Sequence, residues 1–198
     1  MLPDSLLETL AKLHSGPERG YHAWSHPKAL LALLPQVREA LHEPLALECA
    51  IVLHDVVYDP KAGDNEARSA ALALELLDGV VDDEVRRRAA AMILATARHE
   101  VPPGMTAEEA ADCAVFLDLD LSVLGADRDA FDRYEAGVRH EYGHVPWEAF
   151  RTGRAALLER FLARERLYLS DWGHARFEAT ARANLKRSID RLRGGANA

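Results

Sequence analysis

The sequence has 198 residues, a length that fits one compact domain with its own core, and we interpret residues 1–198 as a single domain. Hydrophobic residues make up 48% of the chain and charged residues 28%, a balance that excludes a disordered or low-complexity protein. The formal net charge of -8 argues against binding to a long nucleic acid, which requires a basic surface. No apolar run approaches the length of about 18 residues that a membrane helix needs, so we expect no membrane partner.

The cysteines and the N-terminal segment bear on the cellular compartment. Cys49 and Cys113 both lie in apolar segments, which predicts buried thiols in a reducing environment rather than a disulfide framework or a zinc motif. Asp4 and Glu8 come early in the first segment, unlike the layout of a secretion signal. We therefore expect a cytoplasmic protein.

Helical periodicity runs along the chain, and no segment shows the alternation that is typical of a half-buried strand. The pattern predicts nine helices, over residues 4–14, 25–40, 45–57, 64–78, 82–99, 106–124, 127–142, 146–168 and 174–193. Ser25, Asp64 and Asp127 are predicted N-caps, and Thr106 with Glu109 predicts a capping box. The expected fold is all-α, a compact multi-helix bundle of about eight or nine helices.

Histidine and aspartate residues interrupt two otherwise apolar segments. His54 and Asp55 follow each other in AIVLHDVVY, and Asp118 and Asp120 lie in FLDLDLSVL. A buried carboxylate is destabilising unless a cation, a metal or several hydrogen-bond donors surround it. One divalent metal would satisfy several such groups together, and imidazoles with carboxylates suit Mn, Fe, Co, Ni, Zn or Mg.

The order of these residues resembles the signature of the HD-domain superfamily of metal-dependent phosphohydrolases: His26, then His54 with Asp55, then a distant Asp120. The segments YHAWSHPKALL, LHDVVYDPKAGDNEARSA, ILATARH, FLDLDLSVLG and VRHEYGHVPWEAFRTGRAALLERFL are similar to one subfamily of stand-alone bacterial proteins described only as predicted phosphohydrolases. The resemblance covers nearly the whole chain and implies one divalent metal held by these four residues. Asp118 is the alternative to Asp120, since residues two apart on a helix point about 200° from each other. A second metal, bridged through Asp55, is left open.

The segment Tyr21-His-Ala-Trp-Ser-His26 is also similar to a motif of cyclic-nucleotide phosphodiesterases, distant all-α relatives of HD proteins. In that motif the first histidine is the general acid and the second is a metal ligand, which implies that His22 is the catalytic proton donor. The asparagine that usually follows the first histidine is Ala23 here, so its hydrogen bond is missing.

Three further residues are predicted to line the site. His99 resembles the extra histidine that many HD proteins place over the substrate or a second metal. Asn65 opens the helix after the HD pair, where backbone N–H groups favour an anionic substrate. Glu66 is the candidate for orienting the attacking water. Arg154 is interpreted either as a phosphate clamp or as part of a buried ion pair.

The resemblance implies a metal-dependent phosphohydrolase that cleaves a phosphoester of a small, nucleotide-like substrate, with a monoester or a diester both left open. Three alternatives remain. The first is a sensor of the same fold that binds a nucleotide without turnover. The second is a di-iron oxygenase, for which His99 is the obvious extra ligand. The third is a closed structural metal site in an interaction protein. A homodimer formed through outer helices is also left open.

Overall fold

The computed structural model describes residues 2–194, and this part of the chain folds into nine α-helices without a strand. They are α1 (Asp4–Leu13), α2 (Ser25–Leu33), α3 (Pro44–Leu53), α4 (Asn65–Leu76), α5 (Asp83–Ala95), α6 (Ala107–Asp120), α7 (Arg128–Glu141), α8 (Trp147–Leu162) and α9 (Asp171–Arg193). The prediction of an all-α multi-helix bundle is confirmed. None of these helices is long and apolar enough to cross a membrane.

The second helix is shorter than its sequence pattern predicts. It ends at Leu33, and two short 3₁₀ turns continue to Ala40. Pro35 explains the break, because it has no N–H to donate and its ring clashes with the preceding turn of an α-helix. Ser25 was also wrongly predicted as an N-cap: it is the first helical residue, and the capping position is occupied by Trp24 in a helical conformation.

Four other helices end earlier than predicted, at Leu53, Ala95, Asp120 and Leu162. The backbone carbonyl groups at the end of α8 and just after it accept hydrogen bonds from a distant side chain. The Arg182 guanidinium donates to the carbonyl oxygens of Leu162, Arg164 and Glu165 at 2.8–3.0 Å, which stabilises an irregular connection where the sequence pattern still looks helical.

Side-chain caps fix other helix starts. The Thr106–Glu109 capping box and the Asp127 cap are both present as predicted. Asp64 occupies the position before α4, but its side chain makes no capping hydrogen bond, so the prediction of an N-cap by this side chain was wrong. Ser170 accepts from the N–H of Gly173 at 3.0 Å, so α9 begins at Asp171 rather than at residue 174.

Helix α3 lies at the centre of the first hydrophobic core, and every residue from Ala46 to Leu53 is buried. This agrees with its almost uninterrupted apolar sequence. A second core packs α8 and α9 around the 3₁₀ turn Leu121–Gly125 that follows α6. The apolar residues of α6 belong to the first core, and the turn after it contributes Leu121 and Leu124 to the second. The predicted burial of Cys49 and Cys113 is confirmed, and both are free thiols.

Candidate metal centre

Three side chains from separate helices converge at the end of α6. His26 Nε2 lies 3.1 Å from His54 Nε2 and 3.0 Å from Asp120 Oδ1, and His54 Nε2 lies 3.3 Å from the same oxygen. The two imidazole rings are 2% and 1% exposed, so they form the floor of the site. All three candidate ligand atoms fall within 4.8 Å of one another.

The spacing of these atoms fits the coordination shell of a divalent metal. Ligands bound at about 2.0–2.1 Å stand about 2.9 Å apart at right angles and about 3.4 Å apart in a tetrahedron. The distances of 3.0–3.3 Å among the three atoms lie between these limits. The donor set of two imidazoles and a carboxylate is the one that Mn, Fe, Co, Ni and Zn accept.

The surroundings of His54 favour a positive charge at its Nε2 atom. Its Nδ1 donates to the carbonyl oxygen of Ile51 at 2.9 Å, so in the neutral ring Nε2 carries a bare lone pair. That lone pair faces two carboxylates, Asp55 Oδ2 at 3.0 Å and Asp120 Oδ1 at 3.3 Å. Burial opposes a charged ring, but these carboxylates raise the pKa of His54 well above its ordinary value. A metal at Nε2 would balance the same charge.

Asp55 stands at the edge of the cluster. Its Oδ2 lies 3.8 Å from His26 Nε2, farther than from His54, and its side chain is 20% exposed. Burial would raise its pKa, yet His54 and His22 hold the pKa well below the ordinary range. The carboxylate is therefore ionised and faces both the cluster and solvent.

Asp118 points away from this cluster. Its Oδ1 accepts from the N–H of Leu169 at 2.7 Å, and its Oδ2 accepts from both the N–H and the hydroxyl of Ser170. These neutral donors hold the connection between α8 and α9 against α6. The structure thus brings Asp120, and not Asp118, together with His26 and His54.

His22 lies beside the cluster, held by a carboxylate that the sequence did not single out as its partner. Its Nδ1 is 2.8 Å from Glu141 Oε2, and Glu141 Oε1 accepts from the N–H groups of Tyr21 and His22. Burial works against the charged ring, but Asp55 and Glu141 raise the pKa of His22 above its ordinary value. The ring is 24% exposed, so it borders solvent.

Two further residues fix the loop that carries His22. Tyr58 stacks on the His22 ring, with 4.3 Å between centroids, and donates its hydroxyl to Glu141 at 2.8 Å. Arg19 donates to the carbonyl oxygens of His22 at 2.6 Å, Asp55 at 2.8 Å and Val56 at 3.0 Å. Neither contact could be inferred from sequence, because each joins loops that are distant along the chain.

His99 reaches the other oxygen of Asp120. Its Nε2 lies 3.0 Å from Asp120 Oδ2, and its backbone φ of 50° is unusual for a residue other than glycine. Arg164 donates to the His99 carbonyl oxygen at 2.9 Å, which helps to hold this conformation. The side chain is 23% exposed. Together with Asp55 and His22, it forms the open rim of the site.

The structure does not bring the other predicted residues into the cluster. Asn65 uses its side chain locally, since its amide oxygen accepts from the N–H of Asp59 and its amide nitrogen donates to the Asp59 carbonyl. Glu66 is half-buried in the first turn of α4 and makes no hydrogen bond or ion pair with the cluster in residues 2–194. Arg154 is buried against Glu135 and Tyr134, which is the ion-pair alternative rather than the phosphate clamp.

Comparison of the chain with protein-family models, curated proteins and solved structures gives no match. Function is therefore inferred from the geometry of the site itself.

Proposed function

We propose that the chain is a metal-dependent phosphohydrolase acting on a small phosphorylated substrate, with His26, His54, Asp55 and Asp120 as the metal ligands. The observation that carries the proposal is the convergence of His26, His54 and Asp120 within 4.8 Å, next to a histidine paired with a carboxylate. When bound there, a divalent ion lowers the pKa of a water molecule and polarises a phosphoryl oxygen.

His22 is proposed as the proton donor. The Glu141 carboxylate keeps the proton on Nδ1, so the proton given to the leaving-group oxygen comes from Nε2 of the protonated ring. After transfer, the ring is neutral with its Nδ1–H still bonded to Glu141. The raised pKa of His22 favours the protonated ring before the reaction. Glu141 thus positions the acid without itself touching the substrate.

The exposure of the site supports an enzyme over a closed structural metal site. His26 and His54 are buried, whereas Asp55, His22 and His99 are 20–24% exposed along one edge. A substrate can reach the cluster from that edge, and a catalytic metal requires such an open side. The net charge of -8 fits a small substrate better than a long polyanion.

The test combines metal content with hydrolysis. We expect the purified protein to bind one equivalent of Mn²⁺ and to release phosphate or alcohol from nucleotides or simple phosphoesters. His22→Gln and Glu141→Gln should keep the metal and lose about 100-fold or more in rate on alkyl phosphoesters. Both should lose much less on nitrophenyl esters, since that leaving group needs little protonation. Absence of bound metal, or full turnover of alkyl esters by His22→Gln, would contradict the proposal.

One observation favours a second candidate function. Because Asp120 Oδ2 faces His99 while Oδ1 faces His26 and His54, Asp120 and His99 could together hold a second metal beside the first. Two irons would suit an oxygenase. Iron loading followed by substrate-dependent consumption of dioxygen, lost in His99→Ala, would favour it, and unchanged dioxygen levels during turnover would exclude it.

A further inference from the structure

A cavity of about 440 Å³ lies on the far side of His26 from the rim of the metal centre. It is bordered by α2, the turn after α6 and α7, and most of its wall is apolar, including Leu30, Leu33, Val123 and Phe177. His26 forms part of this wall, whereas His54, Asp55, His99 and Asp120 do not. The cavity is therefore separate from the proposed substrate entrance. Its volume is in the range of small-molecule sites, which are mostly apolar with a few polar groups.

The outer nitrogen of His26 has no protein partner. Its Nε2 lies 3.0 Å from Asp120 Oδ1 and is the atom that would bind the metal, and with a metal there Nδ1 carries the proton of the neutral ring. His54 donates its Nδ1 proton to the Ile51 carbonyl, but His26 Nδ1 makes no hydrogen bond with any residue between 2 and 194. Metal-ligating histidines nearly always donate this proton to a carboxylate, a carbonyl or water. The residue is only 4% exposed and borders the cavity, which leaves the ring N–H for an acceptor bound there.

The other polar side chains of the cavity include Tyr21 and Tyr134, and the Tyr134 hydroxyl accepts from Arg154. The hydroxyls of Ser25 and Ser122 and the guanidinium of Arg133 line it and have no side-chain partner within the described residues. No carboxylate lines the cavity. One guanidinium with neutral donors matches a monoanion, and the apolar wall matches a hydrocarbon body.

We infer that this cavity binds a small amphipathic carboxylate whose oxygen accepts the Nδ1 proton of His26. An acceptor at Nδ1 raises the basicity of Nε2, so binding of the carboxylate and of the metal strengthen each other. The inference rests on the proposed metal site, because without a metal the proton of the neutral His26 ring lies on Nε2 against Asp120 and Nδ1 is an acceptor.

The experiment uses hexanoate as the probe, with hexanamide and inorganic phosphate as comparisons, on the full chain with and without Mn²⁺. Hexanoate should bind saturably to the Mn²⁺-loaded protein by calorimetry, hexanamide should bind at least tenfold more weakly, and phosphate should not compete with hexanoate. Ala130→Phe, which fills the cavity, and Arg133→Gln should each weaken hexanoate by tenfold or more. Arg128→Gln, on the same helix but outside the cavity, should not.

Saturating hexanoate should tighten Mn²⁺ binding about tenfold, and Mn²⁺ should tighten hexanoate by the same factor. Absent hexanoate binding, or binding that Ala130→Phe leaves unchanged, would overturn the inference. Hexanoate binding without any change in Mn²⁺ affinity would contradict the proposed hydrogen bond between the carboxylate and His26 Nδ1. A protein that binds no Mn²⁺ would refute the proposed function, whereas one that binds Mn²⁺ but not hexanoate would refute this inference alone.

Discussion

The last turn of α6 presents two carboxylates to two different environments. On one side, Asp118 accepts three hydrogen bonds from the backbone of Leu169 and from Ser170, all neutral groups with fixed protons. On the other side, Asp120 is surrounded by His26, His54 and His99, whose ring nitrogens can each be a donor or an acceptor. Both aspartates are buried or nearly so.

The difference separates a carboxylate that completes the fold from one that needs a cation. Neutral N–H and O–H donors satisfy the Asp118 side without any ion. The Asp120 side combines carboxylates with imidazole lone pairs, so its charge is balanced only when protons or a metal are present. Burial of an acidic residue alone does not distinguish these cases, whereas the kind of donor does.

The largest expected effect is on metal binding by Asp120→Asn. An amide removes the negative charge from the cluster, so Mn²⁺ affinity should fall by more than about 100-fold, since partners of ligands alone contribute 10–100-fold. Calorimetry against Mn²⁺ measures it, with Asp118→Asn as the matched control. A wild-type affinity for Asp120→Asn combined with a loss for Asp118→Asn would exchange the two assignments.

Asp118→Asn should instead lower the free energy of unfolding by about 3 kcal/mol, because its amide nitrogen would face the N–H group of either Leu169 or Ser170, which then loses its acceptor. Urea denaturation of the metal-free protein measures the change. The exposed Asp129→Asn is the control and should stay within about 0.5 kcal/mol of the wild type. Equal stability of both variants would contradict a structural role for Asp118.

The packing around Asp118 can also be disturbed without changing a charge. A methyl group at Gly173 would lie 2.3 Å from Asp118 Oδ2, so Gly173→Ala should destabilise the protein by about 2 kcal/mol. Gly153→Ala is the matched control, since Gly153 is inside α8 with open space around it. It should stabilise the helix by about 0.5–1 kcal/mol. Thermal unfolding of both variants checks the opposite signs.

The smallest expected effect is a pH dependence on the Asp120 side. Burial lowers the pKa of His14, which packs on Trp24, to about 4, partly offset by its bond to Leu10. The unfolded chain takes up a proton below pH 6.5 and the folded chain does not, so His14 reduces stability as pH falls from about 6.5 to about 4. Between pH 7 and 5.5 this amounts to about 1 kcal/mol. Urea titrations should show a smaller decline in His14→Phe, and identical declines would refute this.

Local patterns predicted most of the fold. Each helix was visible because its apolar periodicity and caps, such as the Thr106 box, depend on near neighbours. Helix ends were less accurate wherever a distant side chain intervened, as Arg182 does after α8. The break at Pro35 could have been predicted from its missing N–H.

The candidate site was only partly visible in the sequence. Helical geometry showed that Asp118 and Asp120 diverge, but the rotation of α6 that selects one for the cluster depends on its packing in the first core. Glu141 carried a weak signal as a buried acid in α7, next to Val138. Arg19 carried no signal, because its partners are backbone carbonyl groups, which every residue has. Asn65 was predicted to bind the substrate, because its hydrogen bond with Asp59 could not be inferred from the helix pattern.

The Glu141 contact has a consequence for the order in which the site is assembled on the ribosome. All the proposed metal ligands have been translated once residue 120 is made, and the longest loop among them, between His26 and Asp120, spans 94 residues. The carboxylate that anchors His22 is 119 residues away and emerges one helix later, and the donors for Asp118 emerge last. A nascent chain would therefore contain all the proposed ligands before the carboxylate that anchors His22, so metal capture can precede the completion of the proposed catalytic apparatus.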